Sequence, residues 1–272
     1  MERRAFIGAL AATGIGCGLA ACAGAERSSS GAQVLTKPPA APKPTPSPIS
    51  TSPTPSPVPA PPAVTKVPLP PGIITGLPTT EPVLAWTVDD GSDSEVVRRY
   101  AEFARDSGTR LTFFLNGSYP GWTEHASLLK PLVASGQVQV ANHTWSHADL
   151  TSVSDAEVVA ELQRNHDFIS ATFGVDARPY YRPPYGYRDA RTDALAASIG
   201  YTCPVLWYGS LADSGLLPEQ EIVNLATEWF RPAHIIIGHL NYLPVTNVFP
   251  QLRQLINDRQ LITVTLNDIF TP

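Results

Sequence analysis

The chain has 272 residues, room for one sizeable domain with appendages or for two small ones, and 28 of them are prolines, most before residue 85. Its formal net charge is −5, with 19 Lys and Arg against 24 Asp and Glu. It therefore lacks the basic face that a nucleic-acid binder needs.

The first elements are targeting signals. Arg3 and Arg4 precede an Ala/Gly-rich apolar stretch, Ala5–Ala21, which is the pattern of an export signal. Glycines interrupt that stretch, which argues against a permanent membrane span. Leu19-Ala20-Ala21-Cys22 resembles a bacterial lipobox, so residues 1–21 are expected to be removed and Cys22 to carry lipid. Arg3-Arg4-Ala5-Phe6-Ile7 also resembles a twin-arginine export motif, although plain Sec signals often carry two arginines as well. Cys17 would leave with the signal, so Cys203 would be the one thiol of the mature domain. It lies in the apolar run Tyr201–Trp207 and reads as a small buried residue.

Residues 22–75 read as a disordered Pro/Ser/Thr-rich tether. From Ser28 to about Gly72 almost no large apolar residue occurs, and such a segment cannot bury enough surface to offset its ordering entropy. At roughly 3.1 Å per residue, about 40 residues of polyproline-II character reach on the order of 100 Å. A stalk of that length would lift a domain off the membrane into the cell wall; a plain linker is the alternative.

From about residue 80 to 272 the texture is that of one folded domain. Val83–Val88 reads as a buried strand, followed by a helix over Ser94–Asp106 with Val96, Val97, Tyr100, Phe103 and Ala104 on one face. A strand over Arg110–Leu115, a helix near Glu124–Ala134 and a short strand over Val138–Ala141 follow. Ser154 is placed to cap a long helix, with Glu157 three residues on as a capping-box partner. Further strands are predicted at Pro179–Tyr181, Thr202–Trp207, Ile235–Ile237 and Leu261–Leu266. Helices near Ala190–Ile199, Pro218–Phe230 and Phe249–Asn257 fill the gaps. No Gly-rich phosphate loop follows the first strand. The alternation points to an α/β fold, a distorted (β/α) barrel of about seven parallel strands.

In such barrels chemistry collects where strands end. Asp89 and Asp90 end the first strand before Gly91, and two adjacent carboxylates repel unless a cation relieves one of them. An ordinary Asp-Gly turn is the alternative. His143 and His147 follow the third strand; on a helical turn that i, i+4 spacing would let both imidazoles reach one ion. Two histidines and a carboxylate make a common open zinc site. Arg182-Pro183-Pro184-Tyr185-Gly186 offers a guanidinium for bidentate carboxylate binding and a rigid step that could aim the next backbone N–H at a reacting oxygen. His239 ends the run Ile235–Gly238 as a candidate general acid.

Taken in this order the residues resemble the polysaccharide deacetylase family, the NodB-homology or carbohydrate esterase family 4 domain, from about Pro82 to Phe270. Thr87-Val88-Asp89-Asp90-Gly91 resembles its Thr-Phe-Asp-Asp-Gly motif, His143 and His147 its His-x-x-x-His motif, and Arg182–Gly186 its Arg-Pro-Pro-Tyr-Gly motif. Ile237-Gly238-His239 is similar to its Leu-x-His motif, and Thr112–Gly117 to a family strand. Its Trp-x-x-Asp-x-x-Asp-Trp stretch is degraded: Trp207 and Asp213 align, whereas Ser210 and Ser214 stand in for an Asp and a Trp, and Leu240 follows His239 where Asp is common.

The resemblance implies that Asp90, His143 and His147 bind a divalent ion, Zn²⁺ foremost, with Co²⁺ or another ion open. It implies Asp89 as base positioned by Arg182, the Tyr185 N–H as an oxyanion donor, and His239 supported by Asp213 as acid. Trp207 and Pro184 would line a substrate groove. The implied activity is metal-dependent N-deacetylation of a GlcNAc-type polysaccharide by a monomer anchored to the outer face of the cytoplasmic membrane. An O-acetyl esterase and a non-catalytic wall-binding lipoprotein are the alternatives.

Overall fold

The computed structural model describes residues 60–271, so the export signal, Cys22 and the tether before residue 60 lie outside the described residues. The described strands are β1 (Val67–Pro68), β2 (Val83–Asp90), β3 (Leu111–Leu115), β4 (Val138–Asn142), β5 (Tyr180–Tyr181), β6 (Cys203–Pro204), β7 (Gly209–Ser210), β8 (His234–His239), β9 (Ile262–Thr263) and β10 (Phe270–Thr271). The helices are α1 (Ser94–Ser107), α2 (Gly121–Glu124), α3 (Ala126–Ala134), α4 (Asp155–Phe173), α5 (Ala190–Ser198), α6 (Glu219–Trp229), α7 (Pro244–Asn247), α8 (Phe249–Asp258) and α9 (Leu266–Ile269).

Seven strands form one curled parallel path, β6-β5-β4-β3-β2-β8-β7, with β9 added to the start of β2. This is the distorted (β/α) barrel expected from the alternating pattern. Because every ladder is parallel, the C-terminal ends of β2, β3, β4 and β8 share one rim. All eight residues of β2 are buried, as a strand covered on both faces must be. On the helix side Trp86 packs against Tyr100, Phe230 and Phe249, with ring centroids 5.9, 5.2 and 6.3 Å away. α1 presents Val96, Val97, Tyr100, Ala101 and Ala104 to this core, and Asp93 caps it by accepting from the Glu95 and Val96 N–H groups.

The structure departs from the expected elements where local signals were weak. Thr202–Trp207 is not one strand. Bonding to β5 ends with the Val205 N–H on Tyr181 O at 2.8 Å, the Leu206 N–H turns instead to Ile74 O, and β7 pairs with β8 on the other side of the path. Leu261–Leu266 pairs only at Ile262 and Thr263, since Thr265 and Asp268 form the capping box that starts α9. The helix near Glu124–Ala134 is two helices meeting at His125. Ser154 does cap α4, accepting from the Glu157 N–H.

Within the tether expected to run to residue 75, residues 60–75 instead belong to an ordered strap. β1 pairs with β10, the Ile74 N–H donates to Pro204 O at 3.1 Å, and the Leu206 N–H donates back to Ile74 O at 2.8 Å. Leu77 N–H reaches Ala233 O at 2.8 Å. The strap therefore runs from beside the end of β6 to the start of β8, across the side on which the path is open between its edge strands β6 and β7. Ile74 and Leu77 are buried there with Val83, Ala85, Phe114 and Val264. Burial of those two side chains, which lie beyond the last dense prolines, is what orders a segment whose composition reads as disordered.

Candidate active site

Four site residues hold backbone conformations that L-residues seldom adopt: Asp90 (φ 76°), Thr144 (φ 70°), His147 (φ 63°) and Tyr185 (φ 60°). Strain of this kind persists only where the surroundings impose it, and all four converge on one rim of the barrel. Asp90 is imposed by its neighbours. Its carbonyl accepts from Trp122 Nε1 at 3.2 Å and from the Asn116 N–H at 3.1 Å. Gly91 follows at φ 108°, where a Cβ would lie 2.5 Å from the Trp122 indole, so only glycine fits.

His143 and His147 do come together, their rings 4.9 Å apart, but not on a helical turn. β4 stops at Asn142, and the left-handed residues Thr144 and His147 fold the next segment back on itself. Asparagines hold that turn. Asn142 Oδ1 accepts from the Thr144 N–H at 2.9 Å, and the Asn116 amide donates to the carbonyls of His143 and Thr144. Asn165 of α4 donates to Asn142 Oδ1 at 2.8 Å.

The carboxylate and the two imidazoles form a cluster whose ligand atoms all lie within 4.8 Å of one another. Asp90 Oδ1 is 3.3 Å from Nε2 of both His143 and His147, is buried, and has no hydrogen-bond partner. His143 Nδ1 lies 2.7 Å from Arg182 O, and donation to that carbonyl leaves the Nε2 lone pair facing Asp90. Burial pushes the Asp90 carboxyl up, yet the His143 contact and the neighbouring imidazoles outweigh it and hold the group well below the ordinary carboxylate range. Burial, and then the charge of His143, pushes the His147 imidazole down, toward the neutral form that binds cations. An orphaned carboxylate oxygen facing two imidazole nitrogens fits a divalent ion.

Asp89, one residue earlier in β2, is buried as well. Arg182, fully buried, meets Asp89 Oδ1 through a single Nη1 at 2.5 Å. The bidentate grip expected from the sequence does not form. Nε goes to Val205 O (2.9 Å), Nη2 to Leu206 O (3.3 Å), and Nη1 also reaches Thr87 Oγ1 (2.9 Å). Asp89 Oδ2 is thereby left toward the imidazoles, 3.6 Å from His143 Nε2.

His239 closes the opposite side. Its Nδ1 is 3.0 Å from Asp213 Oδ1, which leaves Nε2 for the cleft. Burial lowers the basicity of His239, but the Asp213 hydrogen bond and charge, with Asp89 and Asp90 nearby, outweigh it and the pKa rises. A cleft of ≈ 500 Å³ gathers Asp89, Asp90, His143, His147, Tyr185 and His239, with Trp207, Ser210 and Ser214 on its wall. Pro184 does not line the cleft as expected; Pro183, one residue earlier and outside the Pro184–Gly186 turn, does. The Gly186 and Tyr187 N–H groups close that turn onto Pro183 O and Pro184 O without using the N–H of Tyr185. Cys203 is buried with its thiol pushed up to about 12, as an inert core residue should be. His125, His166 and His234 are tied to Ser94, Tyr201 and Trp229 O respectively, away from the cluster.

One contributor carries no signal in the sequence. Asn241 Nδ2 donates to Asp90 Oδ2 at 2.7 Å and so fixes which carboxylate oxygen faces the imidazoles. Leu240, by contrast, is fully buried and contributes only backbone, its N–H to Asp89 O at 2.9 Å and its carbonyl to the Asp93 N–H at 3.2 Å. Asn241→Leu is expected to weaken binding of a divalent ion by about 10- to 100-fold while leaving the fold intact. Titration of the apo protein with Zn²⁺ by calorimetry checks this, and unchanged affinity would remove Asn241 from the site.

Residues 76–204 match the family model described as polysaccharide deacetylase. That span includes Asp89, Asp90, His143, His147 and Arg182; Asp213 and His239 lie beyond it. Among curated proteins, chitin deacetylase 1 of Cryptococcus neoformans is 37% identical over 119 residues, 44% of this chain and 24% of that one. The chain spans about a quarter to just over half of the length of such relatives. Among solved structures, a family 4 carbohydrate esterase from Streptomyces lividans in complex with acetate superposes with a TM-score of 0.59 at 25% identity, covering 66% of this chain and 91% of that one. A family 4 pseudoenzyme from Bacillus anthracis superposes with a TM-score of 0.62 at 18% identity, covering 74% and 69%. The second likeness concerns the fold alone.

Proposed function

We propose that the polysaccharide deacetylase domain of this chain is a working metal-dependent hydrolase that removes N-acetyl groups from a GlcNAc-type polysaccharide. One observation carries the reading: a cluster able to hold a divalent ion stands between a carboxylate fixed by a buried arginine and an imidazole fixed by a buried carboxylate, all open to one cleft. A binding module has no need of that arrangement.

Asp90, His143 and His147 would hold the ion, Zn²⁺ by its donor set. Such an ion polarises an amide carbonyl and makes water acidic enough to attack it near neutral pH. Asp89 is the base: with Oδ1 held by Arg182, Oδ2 takes the proton of the attacking water. The Tyr185 N–H, left free by its turn, donates to the developing oxyanion. His239, held through Nδ1 by Asp213, gives a proton from Nε2 to the departing amine nitrogen as the C–N bond breaks. Acetate and a free amino sugar leave. Trp207 offers an apolar wall to a sugar ring, while Ser210 and Ser214 leave that wall more open than two larger residues would.

The address belongs to the same reading. A lipid on Cys22 and the Pro-rich tether would carry the domain into the cell wall, where peptidoglycan is the polymer within reach. Cys22→Ala should move the protein from the membrane fraction to the medium, and retention in the membrane would refute the anchor. For the activity, the full chain is stripped with chelator and reloaded with Zn²⁺ or Co²⁺, and acetate release is followed from chitooligosaccharides, peptidoglycan and acetylated xylan. Metal-dependent release from the first two is expected. Release from xylan alone would replace the reading with an O-acetyl esterase, and none from any polymer would place the chain with the pseudoenzymes.

A further inference from the structure

Asp213 uses only one of its oxygens on His239. The other, Oδ2, is buried without a hydrogen-bond partner. Two more buried polar atoms, Trp86 Nε1 and the Tyr100 hydroxyl, also lack partners. The indole nitrogen and the hydroxyl converge over Gly238, the residue before His239, whose Nδ1 meets Asp213 Oδ1. A methyl group there would lie 3.4 Å from Trp86 Nε1, 3.5 Å from the Tyr100 hydroxyl and 3.3 Å from Leu211 Cδ1. After burial itself, the charge of Asp213 is what pushes the Tyr100 phenol up, so the two groups sense one another.

The chemistry of the three atoms is complementary. An indole N–H only donates, a carboxylate oxygen only accepts, and a phenol does both. Buried groups of this kind are rarely left unpaired, and an enclosed water needs two to four such partners. Glycine at 238 keeps a side chain from crowding the indole N–H and the hydroxyl.

We propose that Trp86 and Tyr100 hold Asp213 Oδ2 through one water enclosed over Gly238, and that they are positioning residues for the proton donor His239. Asp213 sits on the loop between β7 and α6, whereas Trp86 and Tyr100 are fixed in β2 and α1. The network thus ties the loop carboxylate to the rigid frame, and through it sets the orientation and tautomer of His239. The inference rests on the reading of His239 as the acid of the deacetylation.

Two variants test it, Tyr100→Phe, which removes the hydroxyl, and Gly238→Ala, which fills the space. In each, kcat for acetate release is expected to fall about tenfold, a fraction of the roughly 10²–10⁴ that general acid catalysis supplies, with KM and metal content unchanged. Wild-type kcat in Tyr100→Phe overturns the proposal. So does a kcat loss that comes only with lost metal or a lowered melting temperature, which would mark a packing role. If the wild-type chain releases no acetate, the functional reading fails by itself, and a high-resolution crystal structure decides this inference. Density for a water bonded to Trp86 Nε1, Tyr100 Oη and Asp213 Oδ2 upholds the network, and its absence overturns it.

Discussion

His143→Ala is expected to abolish both ion binding and turnover, whereas Asp89→Asn should keep the ion and lose turnover by roughly 10²–10⁴-fold. The contrast follows from the division of labour between neighbouring carboxylates. His143 faces Asp90 through Nε2 and is oriented by Arg182 O through Nδ1, so no other side chain can supply its nitrogen. Asp89 directs one oxygen to Arg182, an interaction that an Asn carbonyl oxygen can still accept, so the substitution removes the proposed base while leaving Asp90, His143 and His147 in place. Metal content by atomic absorption, measured beside acetate release, checks both halves. A His143→Ala protein that retains its ion and normal activity would refute the assignment.

Arg182→Met should produce the largest loss of stability among single substitutions at the site. The guanidinium is fully buried, donates to Asp89, Thr87, Val205 O and Leu206 O, and lies 4.1 Å over the Phe114 ring. Methionine fills similar space but leaves the Asp89 charge and two carbonyls without donors. Breaking a buried ion pair from one side typically costs about 3–5 kcal/mol, far above the worth of a surface pair such as Arg105–Asp106. Urea unfolding followed by circular dichroism measures it. A loss below about 1 kcal/mol would mean that water reaches Asp89 in solution and replaces the arginine as its partner.

The site was readable in the sequence to the extent that its chemistry is local. Asp89 and Asp90 stand side by side at a strand end, His143 and His147 lie four residues apart, and His239 closes an apolar run; each is a short-range signal. The geometry behind them was not readable. The two histidines meet through left-handed residues held by asparagines of β4, α4 and the turn after β3, where the spacing suggested a helical turn. Arg182 spreads over four acceptors because Val205 and Leu206 come from a part of the chain more than twenty residues away. Asn241 carries no motif, yet it orients Asp90 across 151 positions of sequence.

By itself, the sequence determined the alternating α/β pattern, the parallel barrel and which carboxylates and imidazoles stand at its strand ends. These follow from hydrophobic period and residue chemistry, both properties of short windows. Only the tertiary structure decided which oxygen of each aspartate is free, that residues 60–75 belong to the domain's strap, and which buried atoms stand behind His239. Those outcomes depend on partners far apart in the chain, whose distances are set by strand register and by the packing of helices on the sheet. No local pattern encodes them.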